Sequence, residues 1–331
     1  METYEVRVYS ELAFRYKDPA TWFHIGDIFV PNKMPSYKGK YLVDGSLDWY
    51  RRHSGELSKE GYPQEIAGTN AEVSWETVPR GLSYPLQVRD LKDYASYGYQ
   101  SEAQMQQRKV EYLTHHVKLN RECAGITFIE TDANYDATQI YTVGVTSGIS
   151  SAGWNNKTTS NPISDVMLIK RNNKRLNTMA MNYTTLTYLM EHPDILDAAT
   201  VNGAARDASL KPEVQIAFLE NVFGLKVLVF MAEAVEDATL ATGSQSKVDI
   251  WGDYVWFGYV DGQAVEGNPD RLTWGKEYIY APDGEGVEGF IYKETIDQRA
   301  GIHGKIHMDL GYDNQFATYA KSYGAKLKSV Y

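Results

Sequence analysis

The clearest hydrophobic pattern in the chain is helical and runs from Ser101 to about Ile126. Ser101-Glu102-Ala103-Gln104 fits a capping box, in which the serine oxygen and the glutamine side chain satisfy backbone amides where a helix begins. Apolar residues then recur at helical spacing. They are Met105, Val110, Leu113, Val117 and Ala124, with Tyr112, Leu119, Cys123 and Ile126 widening the face. At ~1.5 Å per residue this helix would span roughly 35–40 Å. We call it the spine helix.

An alternating pattern of apolar and polar positions over residues 36–84 predicts a long β-hairpin. One strand opens at Tyr37–Asp44 and continues through Leu47–Tyr50, and Ala71–Val78 alternates strictly as the return strand. Between them lies a polar, charged tip, from Arg51 to Gly68. Because a hairpin of this length has little core of its own, it must fold onto the body or lie on another subunit.

Residues 1 to about 35 have the pattern of an extended arm. Pro19, Pro31 and Pro35 interrupt the segment. It also carries a short apolar patch, formed by Trp22, Phe23, Ile25, Ile28, Phe29 and Val30. An arm of this kind cannot bury such a patch by itself, so we expect it to dock on a neighbouring surface.

The remainder of the chain mixes helices with strands. The patterns predict helices at about 163–170, 183–192 and 213–223, the last ended by Gly224, and strands at 139–143, 176–181, 225–230 and 254–260. Further strands are expected at 289–292, 305–308 and 325–330. These alternations predict an α+β fold.

Composition and charge argue against a few classes of protein. The 331 residues carry a formal charge of −10, which argues against a dedicated nucleic-acid binder. An acidic inner wall would still suit a container for DNA. The single cysteine, Cys123, excludes internal disulfides and favours a reducing compartment. There is no apolar run long enough to span a bilayer and no secretory signal pattern, so we expect a protein made in the cytoplasm, without a membrane partner.

Candidate chemistry is sparse. His303 and His307 have i,i+4 spacing, but their surroundings look like a strand, where that spacing does not favour a shared metal site. The adjacent His115 and His116 would diverge on the spine helix, and Cys123 falls in its apolar register, which makes it a poor nucleophile. No pair among Glu56, Glu60, Glu72 and Glu76 stands out as a glycosidase pair. We therefore expect no catalytic, cofactor-binding or metal-binding residues, and no enzymatic activity.

The order of elements, with several motifs, resembles the major capsid proteins of tailed bacteriophages that share the Hong Kong 97 fold. Phe23-His24-Ile25-Gly26-Asp27-Ile28-Phe29-Val30-Pro31 is similar to the junction between arm and hairpin in that family. Asn177–Asn182 followed by Leu189–Leu196 is similar to its strand leading into a helix that ends in a His-Pro motif, and Leu219–Val229 follows at a similar distance. The resemblance covers the chain from Phe23 onward.

The resemblance implies an arrangement of domains and a set of partners. Residues 1–35 would be the N-terminal arm, 36–84 the extended loop, 85–160 with 286–331 the peripheral domain, and 161–285 the axial domain. The chain would assemble with itself into pentamers and hexamers of an icosahedral head that encloses double-stranded DNA without sequence-specific binding. A separate scaffolding protein, a portal and a decoration protein are the further partners expected. The location would be the virion, assembled in the cytoplasm of a bacterial host.

Contacts between subunits are expected from the arm and the hairpin. The residues predicted for them are Trp22, Phe23, Phe29, Trp49, Arg51, Arg52, Lys59, Glu60 and Trp75. Two alternatives stay open. An encapsulin-type cellular nanocompartment would share the fold and house cargo enzymes. A carbohydrate-active enzyme would suit the abundance of carboxylates, tyrosine and tryptophan.

Overall fold

A computed structural model describes residues 23–44, 70–201, 212–235, 247–261, 273–281, 290–297 and 305–331. The α-helices in these ranges are α1 Ile25–Ile28, α2 Val88–Lys92, α3 Glu102–Glu130, α4 Pro162–Asn172, α5 Tyr183–Met190, α6 Pro193–Val201 and α7 Pro212–Phe223. The strands are β1 Val30–Met34, β2 Lys38–Asp44, β3 Asn70–Glu76, β4 Val78–Gln87, β5 Ile140–Thr142, β6 Thr178–Asn182, β7 Lys226–Phe230, β8 Glu233–Val235, β9 Lys247–Asp249, β10 Tyr254–Gly258, β11 Gly275–Tyr280, β12 Phe290–Asp297, β13 Lys305–Thr318 and β14 Gly324–Lys328.

The predicted spine helix is α3, and it is slightly longer than expected. Ser101 is its N-cap, and the Ser101 Oγ accepts a hydrogen bond from the Gln104 N–H at 3.2 Å. The Gln104 side chain accepts from the Gln100 N–H at 2.7 Å, one residue before the capping-box position. The 29 residues of α3 extend about 43 Å at ~1.5 Å per residue.

The buried face of α3 follows the predicted apolar register only in part. Met105, Val110, Leu113, Val117 and Ile126 are buried, whereas Leu119, Cys123 and Ala124 are half-buried. The prediction was wrong for Tyr112, which is 55% exposed. Two charged residues of the same helix, Arg121 and Glu122, are buried. An apolar periodicity cannot indicate these positions, because their burial depends on partners distant in sequence.

The first sheet packs against the spine helix and is built around the long strand β13. β12 pairs with residues 305–312 of β13 and β4 pairs with residues 305–314, both antiparallel, so these two strands lie on opposite edges. β11 pairs with the C-terminal part of β13, and β1 adds to β11 in parallel. Alternate residues of β13 are buried, which is the period-2 pattern of a sheet covered on one face.

The second sheet has the strand order β5-β14-β10-β6-β7 and is buried on both faces. Every residue of β6 and β10 is buried. Met179, Met181 and Phe257 pack on one face with the core formed with α4, α5 and α7. Ala180 and Trp256 pack on the opposite face, in the core that includes residues of α3 and α1. This two-sided burial explains why these segments are almost continuously apolar in the sequence.

The sheets divide the chain differently from the predicted domain boundaries. β5 and β14 were assigned to the peripheral segments, but they pair within the second sheet beside strands of the predicted axial segment. β11 lies in the predicted axial segment but pairs with β1 and β13 in the first sheet. Hydrophobic patterning is local, so it cannot show which distant strand completes a sheet. The domain assignment itself stays a prediction.

The N-cap predicts a measurable stability effect. Replacing Ser101 by Ala removes the acceptor for the Gln104 N–H, and should lower the free energy of unfolding by ~1 kcal/mol in urea titration. Thr127→Ala is the matched control on the same helix. Its hydroxyl bonds only the Cys123 carbonyl one turn earlier, so its removal should not destabilise the protein. Equal effects of the two substitutions would contradict the assigned cap.

Candidate subunit interface

The base of the hairpin predicted from residues 36–84 is present and fixed to the first sheet, whereas residues 45–69 lie outside the described residues and residues 78–84 belong to β4. β2 and β3 pair antiparallel, with Lys38 opposite Glu76. The Trp75 ring stacks on Tyr278 of β11 at a centroid distance of 6.1 Å, and its Nε1 donates to the Ser36 carbonyl at 3.1 Å. The Glu76 N–H donates to the Gln315 side chain at 2.8 Å. The base of the hairpin therefore has a defined direction relative to the body.

One side of the hairpin ladder is polar and solvent-facing. Lys38 and Glu76 form an ion pair at 3.1 Å, and Lys40 and Glu72 form another at 2.5 Å, with all four side chains more than half exposed. Exposed pairs of this kind contribute only ~0–1 kcal/mol each. They keep this side hydrated without holding the hairpin onto the body.

Most predicted contact residues lie outside the described part of the chain; they are Trp22, Trp49, Arg51, Arg52, Lys59 and Glu60. Among the others, Phe23 is half-buried, and its ring lies 5.5 Å from that of His115. Trp75 is 9% exposed, since Tyr278 of its own chain covers it. A contact with a neighbouring subunit stays a prediction for these residues.

Phe29 requires a correction, because its side chain has no exposed surface. The residue is 0% exposed, and its ring lies 4.7 to 5.6 Å from those of Phe128, Trp274 and Phe316. Over residues 23–34, the apolar patch of the predicted arm therefore packs against its own chain. Phe29 is a core residue there, and the part of the arm before residue 23 lies outside the described residues.

The N-terminal segment 23–28 is held on the spine helix by a buried carboxylate. Glu122 is 1% exposed and accepts hydrogen bonds from the backbone N–H groups of His24 at 2.9 Å and Ile25 at 3.1 Å. Burial raises the pKa of Glu122 to about 7, although the two backbone hydrogen bonds lower it in part. Beside it, Gly125 leaves the space that the Ile25 side chain fills, since a Cβ there would lie 2.2 Å from Ile25 Cγ1.

The neighbouring residue of the helix fixes the first sheet. Arg121 donates from Nε and from one terminal nitrogen to the two carboxylate oxygens of Glu277, at 2.9 and 2.5 Å. The Asn314 side chain of β13 also donates to Glu277, at 2.6 Å. The Glu277 carboxylate is thus bidentate to the arginine and bonded by a third donor, an arrangement that satisfies a buried charge. Residues 121 and 122 together fix α3 to β11, β13 and the N-terminal segment.

A groove of about 560 Å³ lies between β4 and the spine helix. Within the described residues β4 is paired only with β13, so its other edge presents free backbone groups. Leu82 is 36% exposed at this groove, and Cys123 is half-buried in its wall. Burial and the nearby Glu122 raise the pKa of the Cys123 thiol, which disfavours the reactive thiolate.

Large apolar and aromatic side chains are exposed at several places on the body. Those at least 36% exposed are Tyr37, Val78, Leu82, Tyr97, Tyr112, Val145, Met167, Tyr183, Val214, Val248 and Tyr331. Exposed tyrosines are typical of protein interfaces, because each buries a large area at a small entropic cost. Sequence patterns do not indicate these positions, because exposure depends on which face of each element the fold leaves uncovered.

One cluster has the residue types of a hydrolase triad, but its hydrogen bonds exclude that role. The Ser160 Oγ lies 3.0 Å from His192 Nε2, and the Asp194 carboxylate lies 3.7 Å from His192 Nδ1. The serine hydroxyl donates to the Asn156 carbonyl, and Nδ1 accepts the Asp194 backbone N–H at 3.3 Å. Nε2 therefore carries the proton and cannot act as the base. The cluster instead satisfies buried polar groups where α6 begins.

The described residues contain no group of three histidine, cysteine, aspartate or glutamate side chains arranged to hold a metal ion. His307 lies in β13, in agreement with the predicted strand, and His303 lies outside the described residues. His115 and His116 are neighbours on α3 with ring centroids 5.8 Å apart. No helix in the same described ranges is long and apolar enough to cross a membrane.

The fold is similar to those of solved structures of a phage-related protein and of capsid proteins. A phage-related protein from Bordetella bronchiseptica RB50 superposes with a TM-score of 0.69 and 17% identity, over 98% of this chain and 97% of that chain. A protein assigned as a prophage capsid protein of Escherichia coli CFT073 gives 0.56 and 11%, over 99% of each chain. The chain has the fold of phage major capsid proteins. The predicted α+β class is therefore confirmed.

The same capsid fold also occurs in an encapsulin. The encapsulin of Synechococcus elongatus PCC 7942 matches with a TM-score of 0.51 and 10% identity, over 91% of this chain and 85% of that chain. No protein-family model and no curated protein matches the sequence. At these identities the likeness establishes the fold.

The position of Phe29 in this capsid fold yields a prediction. Phe29→Ala removes a fully buried ring and should lower the free energy of unfolding of the unassembled chain by about 3–5 kcal/mol in denaturant titration. Tyr112→Ala, at a residue that is 55% exposed, is the control and should cost less than about 1 kcal/mol. A Phe29→Ala chain with unchanged stability and impaired assembly would instead support the original interface assignment.

Proposed function

We propose that this chain is the major capsid protein of a tailed bacteriophage, a structural subunit without enzymatic activity. In this proposal it assembles with itself into the pentamers and hexamers of an icosahedral head that encloses double-stranded DNA. The supporting observation is the capsid fold over nearly the whole chain, with a hairpin whose base is anchored by Trp75 and whose ladder carries exposed ion pairs.

The physical argument concerns how a shell is held together. A hairpin that leaves the body can contact a neighbouring subunit, and an arm before residue 23 can contact another. Several weak contacts per subunit form reversibly one at a time, while their sum holds the closed shell. The formal charge of −10 suits a container from which packaged DNA must be released, because an acidic inner wall does not bind the DNA phosphates tightly.

The proposal carries further partners and a location. A separate scaffolding protein, a portal and a decoration protein would act with the chain during assembly, and the packaged DNA would be held without sequence-specific contacts. The mature location would be the virion, after assembly in the cytoplasm of a bacterial host. These expectations rest on the resemblance of the sequence to tailed-phage major capsid proteins.

An encapsulin-type compartment is the second candidate, because an encapsulin shares the fold. Both candidates would give large closed particles, so particle size does not separate them. Their contents do. Particles isolated from the native source should contain double-stranded DNA and carry a tail if the chain is a phage capsid protein. Protein cargo without a genome would favour the compartment.

A carbohydrate-active enzyme is the least supported alternative. Glu72 and Glu76 are exposed on the hairpin, and each is paired with a lysine. The buried Glu277 is bonded to Arg121 and Asn314, and it does not line the groove between β4 and the spine helix. A glycosidase requires two carboxylates that face one substrate, and these carboxylates do not.

The proposed function is tested by expressing the chain alone and with neighbouring gene products, followed by size-exclusion chromatography and electron microscopy. We expect closed shells or capsomers with five-fold and six-fold symmetry. A stable monomer of 37.4 kDa under every assembly condition, with hydrolytic activity on glycans, would overturn the proposal.

The hairpin tip provides a sharper test. Deleting residues 53–68 should leave the body folded, because the segment is mostly polar and charged and belongs to the predicted tip of the hairpin. Assembly yield or the heat resistance of the shells should fall. A variant in which a Gly/Ser linker of equal length replaces 53–68 separates the role of the tip side chains from that of loop length. Normal yield and heat resistance in both variants would show that the tip makes no essential contact between subunits.

A further inference from the structure

Prolines in the first sheet are confined to its edge strands. The described strands contain three prolines, Pro31 in β1 and Pro79 and Pro85 in β4, and all three are exposed. The interior strands of the sheet, β11 and β13, contain none. A proline lacks the N–H group that a β-ladder needs, so this distribution keeps the interior of the sheet fully paired.

The pairing of β4 shows which way its prolines face. The ladder between β4 and β13 is continuous over residues 78–87 of β4, although Pro79 and Pro85 cannot donate to it. Residues of an antiparallel strand direct their backbone groups alternately to one side and to the other. The nitrogen atoms of both prolines therefore face away from β13. The N–H groups of Gly81 and Ser83, which lie between them, face the same way.

The edge strand β1 has the same arrangement on its outer side. The N–H of Ala281, which follows β11, donates to the Met34 carbonyl at 2.9 Å. Met34 therefore directs its backbone groups to β11, and so does every second residue before it, whereas Pro31 faces the other way. Both edge strands thus carry proline on the side where a further strand would pair.

The outer edge of β4 has the features that attract a further strand. β4 is ten residues long and, in the described part of the chain, pairs only with β13. Val78 and Leu82 are exposed on it, and the groove that separates β4 from the spine helix lies beside Leu82. A long edge with exposed apolar side chains is a template for pairing with another chain. Because every copy of this chain carries the same edge, a second copy is always present as a partner.

We propose that Pro79 and Pro85 guard the outer edge of β4, so that a second copy of this chain cannot extend the first sheet. Among the outward-facing positions from 79 to 85, the first and the last offer no N–H to a partner strand. The ring of each proline also occupies the space in which the backbone of that strand would lie. Side-chain contacts at this edge remain open to a neighbouring subunit. The guard belongs to the single chain, so it does not require that the chain form shells.

The guard is tested with a full-length variant that carries both Pro79→Thr and Pro85→Thr. Threonine favours strands and restores an outward N–H at each position. Each restored hydrogen bond strengthens association roughly fivefold, so the self-association constant of the unassembled chain should rise at least roughly thirtyfold. Sedimentation velocity over a series of protein concentrations measures this constant. Pro193→Thr is the matched control and should behave as the wild type, because Pro193 is exposed but begins helix α6 instead of lying in a strand.

Hydrogen–deuterium exchange locates the new contact. In the associated double variant, a peptide that covers residues 80–84 should exchange more slowly than in the wild type, because an added strand bonds the N–H groups of Gly81 and Ser83. Adding Ser83→Pro to the double variant removes an outward donor without breaking the ladder to β13, and should weaken association again by roughly fivefold. Leu82→Pro in the wild-type chain removes a donor that faces β13, so it should destabilise the fold.

Three results would overturn the guard. One is a double variant whose self-association equals that of the wild type. Another is tighter association without slower exchange at residues 80–84, because the contact would then lie elsewhere. The third is equal stability of Leu82→Pro and Ser83→Pro, each in the wild-type chain, which would contradict the assigned directions.

A double variant that fails to fold is replaced by Pro85→Thr alone, for which a rise of roughly fivefold is expected. The absence of a rise would then count against the guard. Closed shells sediment far faster than edge-paired oligomers, so a chain that forms no shells leaves these measurements unaffected.

Discussion

A buried ion pair between the spine helix and the first sheet is the constraint on which the arrangement of the body depends. Arg121 and Glu277 are 156 residues apart in sequence, and Asn314 adds a bond from a third element. Removing either charge would leave its partner in the interior without compensation, at a cost of about 3–5 kcal/mol. The register of α3 against β11 and β13 is therefore fixed. Because β1 pairs with β11 and Glu122 bonds the residues before β1, the N-terminal segment is placed by the same region of the helix.

The second sheet joins strands that are far apart in sequence. Its central strands are covered by helices on one face and by the aromatic core around Trp256 and Trp274 on the other. Both faces of the second sheet are therefore occupied. The hairpin and the outer edge of β4 lie at the periphery. Those elements are held at their bases by specific contacts, such as that of Trp75 with Tyr278. In the proposed capsid function, such directed peripheral strands would suit a subunit that contacts several neighbours at defined angles.

Buried polar groups in this protein are used for structure. His192 joins Ser160 to the start of α6. Asp165 accepts from the Trp154 indole at 2.9 Å and from the Ser150 N–H at 2.8 Å, and so connects a loop to α4. His192 and Asp165 thus have hydrogen-bond partners within the chain. These hydrogen bonds give both residues a structural role.

The sequence by itself determined the elements whose causes are local. The capping box placed the start of the spine helix, the alternation over 71–78 indicated the return strand of the hairpin, and continuous apolar runs indicated strands buried on both faces. The tertiary structure decided what depends on distant partners. β11 was not predicted because Lys276 and Glu277 are charged yet 2% and 1% exposed, and Phe29 belongs to the core because its own chain supplies the covering surface. Periodicity reports which residues avoid water, but only the assembled fold determines which partners cover them.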